Sequence, residues 1–218
     1  GMMAGARQAL RAAILQASDF LAYSVIYRDL SGAILHNIYA QGVHRSSNNL
    51  STEILPYLND VLGYIAARLD GQSRNVVADS LLKATVSGWM RILLNGGAHR
   101  VFVLADAELL DEEIELLSDF FHADGHGLET GVVSTHLRPL WVILSIMSLP
   151  TDQLCQTHDE LKMKEESGVG DANSEESLYN SDTILRVLCH RAEHSASKWI
   201  KAHFSIGKTE SGSMFSFF

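Results

Sequence analysis

Apolar side chains return at steps of three and four along most of this chain, the spacing that gathers them on one face of a helix. Leu10, Ile14, Ala17, Leu21 and Val25 form the first such stripe and predict an amphipathic helix over 6–27, packed along that face. A short second helix runs from Asp29-Leu30 through Ile34, Leu35, Ile38 and Tyr39, and the polar stretch 41–49 reads as an exposed loop. Ser51 is placed to cap a third helix, which Pro56 opens or bends in its first turn, with Leu58, Val61, Leu62, Ile65 and Leu69 on its buried face. After Asp70-Gly71 a long helix over 73–94 carries Val77, Leu81, Leu82, Val86, Trp89, Met90, Leu93 and Leu94, and Gly96-Gly97 stops it. Gly88 inside that helix costs ~1 kcal/mol of propensity against alanine, which predicts a close helix crossing there.

Asp106 has the chemistry of a cap for a helix over 107–121, and the two faces of that helix differ sharply. Leu109, Leu110, Ile114, Leu116, Leu117, Phe120 and Phe121 form a broad apolar surface, whereas Glu108, Glu112, Glu115 and Asp119 follow one another at steps of four, three and four as a continuous acidic stripe. The helical pattern resumes over 129–148, with Pro139 kinking or dividing it, and Thr151 is a cap for a helix through Leu154, Leu161 and Met163. The organisation expected is therefore all-α: a helical bundle over 1–164, a disordered acidic loop over 165–181, a C-terminal helix over 182–204 packed on the bundle, and a flexible tail over 205–218. No internal repeat stands out.

Composition narrows the partners. With three prolines, abundant Leu and Ala and no alternating runs, helices are favoured over sheets. The net charge of −9 repels nucleic acid and anionic lipid at long range, so neither is expected as the main partner. Cys155 and Cys189 lack metal or redox spacing and read as reduced, buried thiols of a cytoplasmic protein. The apolar run from Leu140 to Leu149 is about half of the ~20 residues that a spanning helix needs.

Candidate chemistry is sparse. His190-Arg191-Ala192-Glu193-His194 fits H-x-x-E-H, which on a continuous helix sets two imidazoles one turn apart for zinc with a carboxylate as base; a helical hydrolase is the alternative reading it supports. A third ligand is missing, and a solvent-facing helix explains the residues as well. His122 and His126, separated by a glycine turn, suit a helix C-terminus better than a metal. No cofactor is expected. The acidic stripe is the stronger signal: Glu108/Glu112 and Glu115/Asp119 are like-charge pairs that cost ~0.2–0.5 kcal/mol each. The stripe is a solvated face, or it pairs internally with residues such as Arg91 or Arg100, or it meets a basic partner. Phe215, Phe217 and Phe218 in the tail are further candidate contacts.

Leu93-Leu94, Gly96-Gly97, Arg100, Val101-Phe102 and the acid-rich run from Leu109 to Glu113, followed by Phe120-Phe121 and Asp124-Gly125-His126-Gly127-Leu128, resemble the central segment of the plant MUN-domain proteins, the Munc-thirteen-like factors of vesicle tethering and priming. The stretches from Asp19-Phe20 to Tyr39 and from Asp182 to Arg191 are similar to the flanking helices of that family, so the likeness covers about residues 15–204. It implies the C-terminal region of a larger protein, including its second Munc homology domain, with the upstream remainder of the polypeptide as a neighbour. It also implies an elongated antiparallel helical bundle of the tethering-complex (CATCHR-like) type, without enzymatic activity. SNARE proteins or their regulators are the implied partners, and membrane association is indirect, in the cytoplasm at the plasma membrane or trafficking vesicles. The family's best-known SNARE pocket lies upstream, so no binding residue carries over. An architectural or oligomerisation cap of a helical rod remains a further alternative.

Overall fold

The three-to-four periodicity is realised as helix almost throughout the computed structural model, which describes residues 2–39, 49–97, 100–167 and 178–204. The α-helices among them are α1 (Met2–Ser24), α2 (Leu55–Ala66), α3 (Gly71–Asn95), α4 (Asp106–His122), α5 (Thr130–Met147), α6 (Thr151–Glu166), α7 (Ser181–Cys189) and α8 (His194–His203). Wider π-helical turns extend α1 (Val25–Asp29), follow it (Gly32–Asn37) and lead into α2 (Leu50–Ile54). Successive helices pack on one another as α4 on α5 and α6 on α7, while α1 lies along α3. Between α5 and α6 the chain turns through 115° at Ser148-Leu149-Pro150.

The long helix α3 is the spine. Asp70 accepts the Ser73 N–H and so caps it, and Leu81, Leu82, Trp89, Ile92 and Leu93 are buried along it. Gly88 lies where α3 meets the end of α1: a Cβ there would stand 3.2 Å from Ile26 Cγ2 and 3.5 Å from Ile34 Cγ2. Gly88→Leu is therefore expected to overpack this crossing and cost about 2 kcal/mol, read as a lowered urea midpoint at unchanged m-value, whereas Gly88→Ala stays near neutral because helix propensity offsets the tight contact.

Several expectations are corrected. Of the stripe predicted for α1 only Val25 is buried: Leu10 is 63% exposed, Ala17 and Leu21 are exposed too, and burial is concentrated at Ala22, Val25 and Ile26. The first halves of α1 and α3 leave between them a groove of about 520 Å³, because α3 offers it Asp70, Gln72 and Ser73 in place of large apolar groups. By length and composition Ala4–Asp29 would also suffice to cross a membrane, although its second half is tied to α3 by this packing and by the Ser80 hydroxyl donating to Asp19 (2.6 Å). Leu69 is exposed beyond the end of α2, and Ser51 lies within the π turn that precedes that helix. Pro139 sits inside α5 without dividing it. Thr151 is the first residue of α6 and not its cap; its hydroxyl is buried with no hydrogen-bond partner among the described residues. Both cysteines are free, and Cys189 is exposed because it ends α7.

The largest correction concerns the C-terminal helix expected over 182–204. It divides at 190–193, where the backbone pairs with the segment between α3 and α4: the Phe102 N–H donates to the His190 carbonyl (2.6 Å) and the Ala192 N–H to the Phe102 carbonyl (2.8 Å). These groups are thereby withdrawn from helical bonding. The predicted acidic loop begins within α6, and Glu165 accepts both the Ser181 N–H (3.0 Å) and its hydroxyl (2.5 Å), which fastens the start of α7 to the end of α6. Residues 168–177 of that loop lie outside the described residues.

Candidate functional site

Helix α4 buries one face and leaves the other to solvent. Ala107, Leu110, Ile114, Leu117 and Phe121 turn inward, as their spacing requires. Glu108, Glu112, Glu115 and Asp119 are all exposed and follow one line along the outer face. None of the four forms an ion pair among the described residues. Internal neutralisation by Arg100 does not occur, since its guanidinium donates to the carbonyls of Ile38 (3.0 Å), Gly96 (2.9 Å) and Leu35. Arg91 lines a separate cleft and is likewise unpaired with any carboxylate among the described residues. The structure thus brings the four predicted carboxylates together as one open, uncompensated surface. Phe215, Phe217 and Phe218 lie outside the described residues.

What holds α4 in place is a residue that the stripe conceals. Glu113, next to exposed Glu112, faces inward and is 3% exposed. One of its oxygens accepts the Tyr39 hydroxyl (2.9 Å) and the Trp89 indole N–H (2.9 Å). Burial raises its pKa from 4.5 to about 7, outweighing the two hydrogen bonds that lower it, and the charges of Glu112 and Asp106 add to the rise. The available signal was register: position 113 falls three after Leu110 and four before Leu117, on the apolar face.

The central motif reaches this glutamate through Tyr39, which packs on Phe102 and donates to the Glu113 carboxyl. Gly97 has φ of 78°, the left-handed backbone that ends α3, and a methyl at Gly96 would overlap both the Arg100 side chain and the Ile92 carbonyl. Arg100 folds over that glycine to reach its three carbonyls, and burial without a carboxylate partner lowers its pKa. Phe102 packs edge-on against Tyr39 (5.4 Å between centroids) and His190 (6.0 Å). Arg191 is buried nearby and donates to the carbonyls of Met147 (2.9 Å) and Leu149 (2.7 Å) at the end of α5. The motif is therefore a hub that joins the π turn, α3, α4, α5 and α7.

The hydrolase geometry does not assemble. His190 caps the end of α7 and its Nδ1 faces the Arg100 carbonyl at 3.0 Å, whereas His194 begins α8. The two imidazoles thus share no helical face. His122 Nδ1 donates to the Leu128 carbonyl (3.1 Å) at the C-terminus of α4, beyond which Ala123 and Asp124 take left-handed φ values and turn the chain away. Among the described residues no three His, Cys, Asp or Glu side chains are gathered as a metal would require.

The comparisons with known proteins agree with a helical interaction protein. A relative from Arabidopsis thaliana, a protein unc-13 homolog, is 28% identical over 205 residues, 94% of this chain but 18% of the relative. The chain thus spans less than a fifth of that relative's length. No solved structure matches. A family model described as "PATROL1-like, TPR repeats" matches residues 1–210. Its repeats are not legible as sequence periodicity, although consecutive helices here do pack in pairs. On that match, the chain belongs to the PATROL1-like family of TPR-repeat proteins.

Proposed function

We propose that this chain is a non-enzymatic interaction module of a vesicle-tethering or priming factor, and that it engages a SNARE or SNARE-regulator protein through the acidic face of α4. The observation that carries the reading is the uncompensated line of Glu108, Glu112, Glu115 and Asp119 on a helix whose other face is locked into the core. Four unpaired carboxylates about one turn apart, along roughly three turns of helix, favour a basic segment and steer its approach. The same charge disfavours direct contact with an anionic bilayer, so membrane association belongs to other parts of the longer protein or to the partner, at the cytoplasmic face of the plasma membrane or of vesicles. Kinship with an unc-13 homolog supports this reading.

The exposed first half of α1, with its open groove against α3, supports a role for that face in stacking on the remainder of the polypeptide. Affinity capture tests the module directly: the full-length protein and a version ending before this region are each presented with purified SNARE motifs and regulator proteins. Retention by the full protein with at least tenfold loss on truncation is expected; equal retention by both would place partner binding elsewhere.

A further inference from the structure

A second polar surface lies on the opposite charge, at the end of α3. A cleft of about 420 Å³ opens there between the π turn Gly32–Asn37 and the last turn of α3, with Leu35 and Ile92 as apolar walls. Its polar lining consists of His36, Arg91, Asn95 and Arg100, and no carboxylate lines it. That is notable in a chain of net charge −9. His36 and Arg91 are exposed, and neither pairs with an acid among the described residues.

The orientation of Asn95 adds to the donor set. Its Oδ1 accepts from Arg186 Nη1 (2.5 Å), and its NH₂ has no partner among the described residues. The carbonyls at the end of α3 would oppose an anion through the helix dipole. Arg100 offsets this by donating to Gly96 O, Leu35 O and Ile38 O while bringing a positive charge that no described carboxylate neutralises. The cleft thus sets donors beside apolar walls.

From this arrangement we infer that the cleft formed by His36, Arg91 and Asn95 over Arg100 binds a phosphorylated side chain presented on a partner peptide. Guanidinium pairs strongly with both phosphate and carboxylate. A phosphate monoester spreads close to two negative charges over three terminal oxygens, against one charge over two oxygens in a carboxylate, and so pairs more strongly with a cleft that holds two guanidinium groups and no acid. The volume accommodates one such side chain and an apolar neighbour against Leu35 and Ile92. The overall negative charge of the chain weakens its approach to an extended anionic lipid surface but not to one peptide group.

The test uses the full chain with ¹⁵N-labelled arginine and follows the Nε–H resonances of Arg91 and Arg100, both of which line the cleft, while O-phospho-L-serine is added, with L-glutamate and phosphoinositide-containing vesicles as parallel probes; the Arg91 variant is read at Arg100. A saturable shift with phosphoserine is expected, at least tenfold weaker with glutamate, abolished at Arg100 by Arg91→Gln and weakened about threefold by His36→Gln, consistent with loss of one exposed hydrogen bond. Both replaced residues are exposed, and unchanged far-UV circular dichroism verifies that the variants fold. The inference is overturned if phosphoserine gives no saturable shift, if glutamate binds equally, if Arg91→Gln leaves the affinity unchanged, or if only the vesicles bind.

Discussion

Raising the pH from about 4.5 to 8 is expected to remove roughly 3 kcal/mol of stability through Glu113 alone, at ~1.4 kcal/mol per pH unit between its unfolded and folded pKa values. The sign follows from burial. The folded pKa, about 7, exceeds the ordinary value of 4.5, so the folded chain binds the proton more tightly than the unfolded chain. Below 4.5 both states are protonated and the contribution is complete; it declines as pH rises and is lost once the folded pKa is passed. The groups around the carboxyl are Tyr39 from the π-turn region, Trp89 from α3, and Glu112 and Asp106 from α4 itself. Glu113→Gln keeps an acceptor for Tyr39 and Trp89 but removes the titration. Urea unfolding of the two proteins at a series of pH values should therefore show their stability difference swinging by about 3 kcal/mol in favour of the glutamine as pH rises. A difference independent of pH would contradict the account. Glu113→Ala should be worse than glutamine at low pH, because it strands two buried donors at a cost of ~1–3 kcal/mol each.

Arg100→Ala is expected to destabilise the chain by about 3 kcal/mol, at ~1 kcal/mol for each of its three hydrogen bonds to backbone carbonyls. Its guanidinium fans out to the carbonyls of Leu35, Ile38 and Gly96, which join two segments more than sixty residues apart. Without it, carbonyls at the end of α3 and after the π turn lose their partner, and the aliphatic stem no longer covers Gly96. Arg100→Lys should recover little of the loss, since one ammonium on a flexible stem cannot reproduce the planar fork. Gly96→Ala should damage the same contact from the other side, where a methyl overlaps the Arg100 side chain. Arg91→Ala, at an exposed site five residues before Gly96, serves as the control and should change stability by less than ~0.5 kcal/mol. Denaturant midpoints of the four variants check the ranking, and an Arg100→Ala loss no larger than that of Arg91→Ala would refute it.

Features governed by local periodicity were legible in the sequence. The outer face of α4 emerges from the spacing of Glu108, Glu112, Glu115 and Asp119, and the crossing at Gly88 from a glycine where propensity disfavours one. Features made by distant partners were not. Glu113 looked like one more acid in an acidic run because its meaning depends on Tyr39, 74 residues away in sequence, and on Trp89. The break at 190–193 has no helix-breaking residue to announce it; its cause is the backbone of Phe102, which takes the hydrogen bonds that a continuous helix would have used. The first half of α1 carried an apolar stripe that predicted packing, yet the small polar residues at the start of α3 leave that stripe open. The central motif also changes meaning: Gly96, Gly97, Arg100 and Phe102 build the hub, and Glu108, Glu112, Glu115 and Asp119 lie on the exposed face of α4.

The most direct measurement is a calorimetric titration of a purified basic SNARE motif into this chain at low and at high salt, repeated with Glu108→Gln, Glu112→Gln, Glu115→Gln and Asp119→Asn combined. The account predicts an affinity that falls as salt rises, and a variant that binds about tenfold more weakly, with most of the salt dependence gone, equivalent to ~1.4 kcal/mol spread over four charges. An equal affinity and an equal salt dependence for the parent and the neutralised variant would contradict it.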